Sequence, residues 1–274
     1  MLPENFQFSQ GSLQDFSDCK RRFELRYLRR LSWPALESEP ALESEQHLQQ
    51  GERFHLLVHQ YLLGVPSGKL TAMLQDDEVA AWWSAFLSFA AVLDGKTRYP
   101  EFSLSAPLND FRLVGKYDLV VVNQDQAYIY DWKTSRRKPR RAWLAERLQT
   151  RVYPYLLVRA GAHLNQGKPF LPENVHMTYW YAGHTEQPEL FDYSDEQYLK
   201  DEAFLTELLT TIQGLGEGEF PLTSDVQRCL YCVYRSLCER GVGAGELEAI
   251  EEDLEAGQGL DLVFDFEQIA EIEF

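Results

Sequence analysis

Basic residues are in short supply: 26 Lys and Arg stand against 43 Asp and Glu, a formal net charge of −17 over 274 residues. Read as a total, that balance argues against a polyanionic partner, and only its distribution reopens the question. Cysteine is also scarce. Four residues are too few for the dense disulfide framework of a small secreted domain. No run reaches 18 apolar residues, and no charged-then-apolar leader opens the chain, so a soluble cytoplasmic protein with no membrane partner is expected. A G-x-x-x-x-G-K-[ST] loop is missing, so any nucleotide-driven motor would be a separate chain. Nothing repeats at a fixed period, which sets aside solenoids and propellers.

What is present suits a globular core: 45% hydrophobic residues, 13% of the chain aromatic. The acidity is concentrated at one end. Residues 239–274 hold twelve acids and one base, Arg240, leaving a net charge of only −6 on the rest. Residues 20–30 carry six bases against Glu24, and residues 133–151 carry eight against Glu146. Local potential steers an anionic ligand more than net charge does. Arg136, Arg137, Lys138, Arg140, Arg141, Arg147 and Arg151 are therefore the expected contacts to phosphates.

The second basic stretch begins where the most informative segment ends. Two apolar runs, 117–122 and 127–132, flank a polar break at 123–126, and their Val, Ile, Tyr and Trp content reads as a hairpin. A turn on Gln124 and Asp125 pairs 123 with 126 and, counting outward, 118 with 131. Asp118 and Asp131 are then opposed, with Lys133 on the same face as Asp131 and Trp132 pointing away. Two carboxylates brought together repel unless a cation lies between them, and Mg²⁺ or Mn²⁺ is the natural one.

Before the hairpin, the spacing predicts a helix capped near Ser12 and running to about Arg30, a linker over 34–45, and helices over about 45–63 and 76–94. Strand-like segments follow at 101–108 and 111–115, and Glu101 on the first is a further ligand or a group behind the ligands. After the hairpin come a helix from about Arg140 to Ala160 kinked at Pro154, strands at 174–182 and 188–193, and a helix opened by Ser194. The order suggests an α/β core with a helical cap at one side.

The cysteines are Cys19, Cys229, Cys232 and Cys238. C-x2-C-x5-C with one distant partner satisfies either tetrahedral Zn²⁺ or a [4Fe–4S] cluster, and either group would staple the first helix to the last ordered segment.

Taken together, these residues resemble the PD-(D/E)XK nuclease superfamily, within it the RecB-like branch that carries an iron–sulfur cluster, such as CRISPR adaptation nucleases, the AddB nuclease domain and exonuclease V-like enzymes. Gly51-x-x-x-His55, Gly115-x-x-Asp118, Asp131-Trp132-Lys133 and Gln149-x-x-x-Tyr153 stand in family order, with one cysteine before and three after. The resemblance implies a restriction-endonuclease-like core, a mixed central sheet flanked by helices, with a cysteine-stapled helical cap. It implies a single nuclease domain over 1–240; the acidic tail over 241–274 has no counterpart in the family pattern. It also implies that His55, Asp118, Asp131 and the Trp132 backbone carbonyl hold the metal, that Lys133, Gln149 and Tyr153 complete the catalytic set, and that [4Fe–4S] rather than Zn²⁺ sits on the cysteines. The implied activity is metal-dependent DNA hydrolysis on single strands or ends, in repair, recombination or CRISPR adaptation, beside a helicase or integrase-type partner chain. A non-cleaving DNA-binding or assembly subunit is the alternative.

Overall fold

The computed structural model describes residues 2, 3, 5–31, 39–93, 97–216 and 218–241; the acidic tail beyond 241 and the first part of the expected linker, 34–38, lie outside them. A six-stranded mixed sheet forms the centre. Its strands are β1 (Gln7–Ser9), β2 (Thr97–Leu108), β3 (Phe111–Asn123), β4 (Gln126–Lys133), β5 (Val175–Tyr181) and β6 (Glu189–Asp192). β2 and β4 run antiparallel to β3, β1 and β5 run parallel to their neighbours, and β6 closes antiparallel on β5.

Helices cover both faces, as a sheet with two apolar faces requires. α1 (Gln10–Asp18), α7 (Leu148–Ala160) and α8 (Asp195–Gln213) cover one, where Leu13, Val120, Ile129, Val152, Leu156 and Leu205 share a core. α3 (Glu39–Leu62) and α5 (Asp77–Ala90) cover the other. There Phe54, Phe86, Leu119, Val121, Trp132 and Trp180 pack together. Each such fully buried side chain contributes about 1.5–3 kcal/mol. This is the mixed α/β architecture that the sequence suggests. Among the described residues no helix is long and apolar enough to cross a membrane.

Several element boundaries differ from expectation, each for a local reason. Helix α1 is capped by Ser9, not Ser12; the two serines form a reciprocal capping box. It stops at Cys19, whose extended backbone (φ −159°, ψ 108°) separates it from α2 (Lys20–Phe23) and a π-helical turn over Glu24–Leu28. Helix α3 begins at Glu39, so part of the expected linker is helical. α4 (Ser67–Ala72) and β1 have no clear sequence signature, being short.

The helix expected over 140–160 is broken seven residues before Pro154. Arg147 is extended (φ −67°, ψ 141°) and divides α6 (Arg141–Glu146) from α7, while Pro154 stays inside α7. The break holds because Gln14 of α1 accepts the Leu148 N–H at 3.1 Å and Thr150 Oγ1 donates to the Leu144 carbonyl at 2.6 Å. Side chains thus satisfy groups that a continuous helix would have paired.

Candidate active site

Strand β3 is longer than either neighbour on its β4 edge. β4 pairs with residues 119–123 and β1 with residues 112–114, so residues 115–118 face no strand there. The hairpin turn sits where expected, with Gln124 left-handed (φ +57°) and Asn123 opposite Gln126. The outward count, however, holds only to Leu119 opposite Tyr130. Beyond that the strands part, and Asp118 is not a laddered partner of Asp131. Instead its carboxylate enters the gap and accepts the Trp132 N–H at 2.8 Å, replacing the carbonyl a ladder would supply.

The parting coincides with an exchange of faces. On β3, Leu113 and Tyr117 belong to the α7-side core, yet so do Val120 and Val122; strict period-2 alternation fails between them. On β2 the same happens across Glu101, since Tyr99 and Phe102 both pack on that core. Glu101 and Asp118 occupy the one skipped position of the β2–β3 ladder, and Glu101 is left-handed (φ +49°). An acidic side chain in that conformation costs roughly 1–2 kcal/mol. The exchange places Asp118 toward α3 while Asp131 keeps its place toward α7.

Helix α3 brings His55. Phe54 is fully buried and stacks on Trp180 at 6.1 Å, which fixes the helix roll. One turn before His55, Gly51 lies so close to the loop after β4 that a β-carbon would meet Thr134 Oγ1 at 3.0 Å. His55 Nδ1 then lies 3.5 Å from Asp118 Oδ1, buried and without a hydrogen bond. Burial pulls the imidazole down, but the Asp118 carboxylate outweighs it and leaves His55 raised. Burial also pushes Asp118 up, and His55 with the Trp132 amide brings it below the usual carboxylate range.

Helix α7 brings Gln149 and Tyr153. Gly115 permits this approach, because a β-carbon there would meet Leu156 Cδ1 at 2.9 Å and the Tyr153 ring at 3.5 Å. Gln149 Nε2 donates to Asp131 Oδ1 at 2.5 Å, and its Oε1 accepts from Lys133 Nζ at 3.3 Å. Lys133 Nζ is 2.9 Å from Asp131 Oδ2. Burial raises the Asp131 carboxyl to about 6, Lys133 opposing and Asp118 adding to the shift. Tyr153 is an anchor: its hydroxyl donates to the Lys116 carbonyl at 2.6 Å, and Tyr117 donates to the Tyr153 carbonyl at 2.9 Å.

His55, Glu101 and Asp118 each offer a ligand atom, all within 4.8 Å of one another. Opposed ligands of an ion bound at 2.0–2.1 Å lie about 4.2 Å apart, so three donors at this spacing fit one divalent cation with little movement. An imidazole nitrogen buried without a hydrogen-bond partner beside a carboxylate is the matching donor chemistry. The hairpin count alone gives no hint of Lys116, which lies 2.5 Å from Glu101; its place two residues before Asp118, on the same strand face, is the available signal.

Part of the basic stretch is paired within the chain. Lys138 and Arg141 both pair with Glu189 on β6, at 2.5 and 3.0 Å, and Arg151 pairs with buried Asp201 at 3.1 Å. Arg147 is buried against the Trp143 ring. Arg136, Arg137, Arg140 and Arg141 are exposed, Arg136 lying 3.7 Å from Glu78. Periodicity could not separate these roles, since the counter-anions come from distant strands and helices.

At the far end of α1, Cys19, Cys229, Cys232 and Cys238 line a single pocket together with Arg22, Arg228 and Arg235. Burial raises the thiols of the last three, the neighbouring arginines opposing it.

No curated protein matches the sequence. Two solved structures resemble the chain weakly. SSO0001 is 13% identical, with 87% of this chain and 88% of that one covered and a TM-score of 0.42. A Eubacterium rectale protein described as a candidate exonuclease is 10% identical, with 79% and 83% covered and a TM-score of 0.46. The sequence profile of the PD-(D/E)XK nuclease superfamily matches residues 7–239. That span takes in both sides of the sheet, all the side chains gathered at the parting of β3 and β4, and the four cysteines, and the chain belongs to the PD-(D/E)XK nuclease superfamily.

Proposed function

We propose that the protein is a Mg²⁺- or Mn²⁺-dependent deoxyribonuclease of the RecB-like branch, acting on single strands or ends. The observation that carries this reading is the convergence of His55, Glu101 and Asp118 from one face with Asp131, Lys133 and Gln149 from the other. When bound there, a divalent ion lowers the pKa of its water and neutralises charge at phosphorus. The nitrogen ligand tilts preference toward Mn²⁺. His55, Asp118, Asp131 and the Trp132 carbonyl are the proposed holders.

The chain's own groups do the rest. Lys133 presents a fixed ammonium to the developing charge of the transition state, preorganised by Asp131 and Gln149 so that little reorientation is needed. Tyr153 keeps α7 against β3 and so keeps Gln149 in reach of both. Of the basic stretch, the exposed Arg136, Arg137 and Arg140 are the best placed to meet phosphates. Lys138 and Arg151, both largely covered, hold the scaffold, and exposed Arg141 stands beside Glu189.

The branch assignment rests on the cysteines. They come from both ends of the nuclease domain and meet in one pocket. Four thiolates suit tetrahedral Zn²⁺ or a [4Fe–4S] cluster; the likeness to the RecB-like branch supports the cluster, and a single domain over 1–240 closed by that cap.

The test is cleavage of end-labelled single-stranded DNA with Mn²⁺ or Mg²⁺ by wild type, Asp131→Asn and Lys133→Ala. Wild type should cut and both variants should lose at least about 100-fold in kcat, as for removal of one preorganised charge-stabilising group. Equal cleavage by all three would place the activity elsewhere. Salt-sensitive DNA binding without turnover would make the protein a non-cleaving subunit.

A further inference from the structure

Lys116 touches the ligand group through Glu101, at 2.5 Å, and stands outside the Asp131–Lys133 pair. Lys116 and Asp118 lie two apart on β3, opposite the buried Tyr117, so they share the face toward α3. Glu101 stands across from Asp118 at the skipped ladder position. Its carboxylate therefore lies within reach of the Lys116 ammonium at 2.5 Å and of the donors of His55 and Asp118. A carboxylate oxygen engaged by an ammonium has fewer lone pairs left for an ion, and two positive charges on one carboxylate repel. The left-handed backbone at Glu101 (φ +49°) accompanies the exchange of faces on β2 that sets its carboxylate beside His55 and Asp118.

Resting on the reading that His55 and Asp118 hold a divalent ion, we propose that Glu101 is a further ligand of that ion and that Lys116 competes for it. The ammonium holds Glu101 in ligand position when the ion is absent and yields it when the ion arrives. Lys116 is thus a positioning residue that keeps ion affinity lower than the donor set alone would give. In exchange, three acids near one point, Glu101, Asp118 and Asp131, are prevented from repelling one another apart in the unloaded protein.

The test is a Mn²⁺ titration of the full chain, followed by the room-temperature EPR signal of free Mn²⁺. Glu101→Gln should weaken binding about 10–100-fold, the range seen when groups that support a metal site are lost. Lys116→Met should tighten binding several-fold. In the Glu101→Gln background, Lys116→Met should have much less effect, so the double-mutant cycle shows coupling. Unchanged affinity in Glu101→Gln would show that Glu101 is no ligand. Weaker binding in Lys116→Met would make the lysine a scaffold and overturn the competition. If Glu101→Gln melts early without ion, Lys116→Met in the otherwise native chain still decides the matter. Wild-type protein that binds no Mn²⁺ would instead remove the divalent-ion reading itself, a failure distinct from either of these.

Discussion

Gln149 touches both members of the pair that the hairpin places at its end, donating to Asp131 at 2.5 Å and accepting from Lys133 at 3.3 Å. It carries no charge and cannot act as a base; it fixes two groups relative to each other. Its removal should therefore lower kcat and spare binding of nucleic acid. Single-turnover cleavage by Gln149→Ala should fall about 100-fold, the loss expected for a misplacement of about 1 Å. Fluorescence anisotropy with labelled single-stranded DNA should give an unchanged Kd. A matched loss in both measurements would mean that Gln149 grips substrate rather than the Asp131–Lys133 pair. At this scale Asp131, Trp132 and Lys133 were legible in sequence because strand periodicity alone separates their faces. The orientation of Asp118 was not, since it depends on a break in that same periodicity.

At the scale of elements, two glycines decide how closely helices approach the strands. Gly115 lets α7 lie on β3, and Gly51 lets α3 lie on the loop beyond β4. A methyl at residue 115 would overlap Leu156 and crowd Tyr153, so Gly115→Ala should destabilise the fold by about 1–3 kcal/mol. Because the same shift carries Gln149 away from Asp131, cleavage measured well below the melting temperature should drop as well. Urea unfolding beside the cleavage assay checks both. Loss of stability with full activity would show that α7 tilts about a different point. The spacing of the motifs names these glycines, but the contact each one relieves comes from an element far away in sequence.

For the whole molecule, the cap joins the first helix to the last described segment. Phe16 and Phe23 of the N-terminal helices pack against Phe220 at 6.5 and 6.2 Å, and Arg228 pairs with Asp18 at 2.5 Å. The four cysteines gather beside these contacts. Anaerobically purified protein should carry a broad brown absorbance with iron and sulfide bound; zinc alone in metal analysis would overturn the cluster. Cys232→Ser should bleach that absorbance and lower Tm by more than about 5 °C, since a group that ties two chain ends contributes folding energy. An unchanged Tm would show that the aromatic contacts hold the cap without it.

The sequence by itself determined which residues were chemically able to act: the Asp-x-Lys strand end, the histidine a turn after a glycine, the glutamine and tyrosine one helical turn apart, and the cysteine spacing. The shared face of Asp131 and Lys133 follows from the strand period of 2, a property of neighbours along the chain; the histidine and the glutamine–tyrosine pair follow from the resemblance to the family pattern. Only the tertiary structure decided which face Asp118 takes, where the long helix divides, which basic residues are bound to Glu189 and Asp201, and that Lys116 joins Glu101 at the site. Each of those outcomes depends on partners tens of residues away, on strands that part and on backbone conformations that packing imposes. No local pattern records such partners.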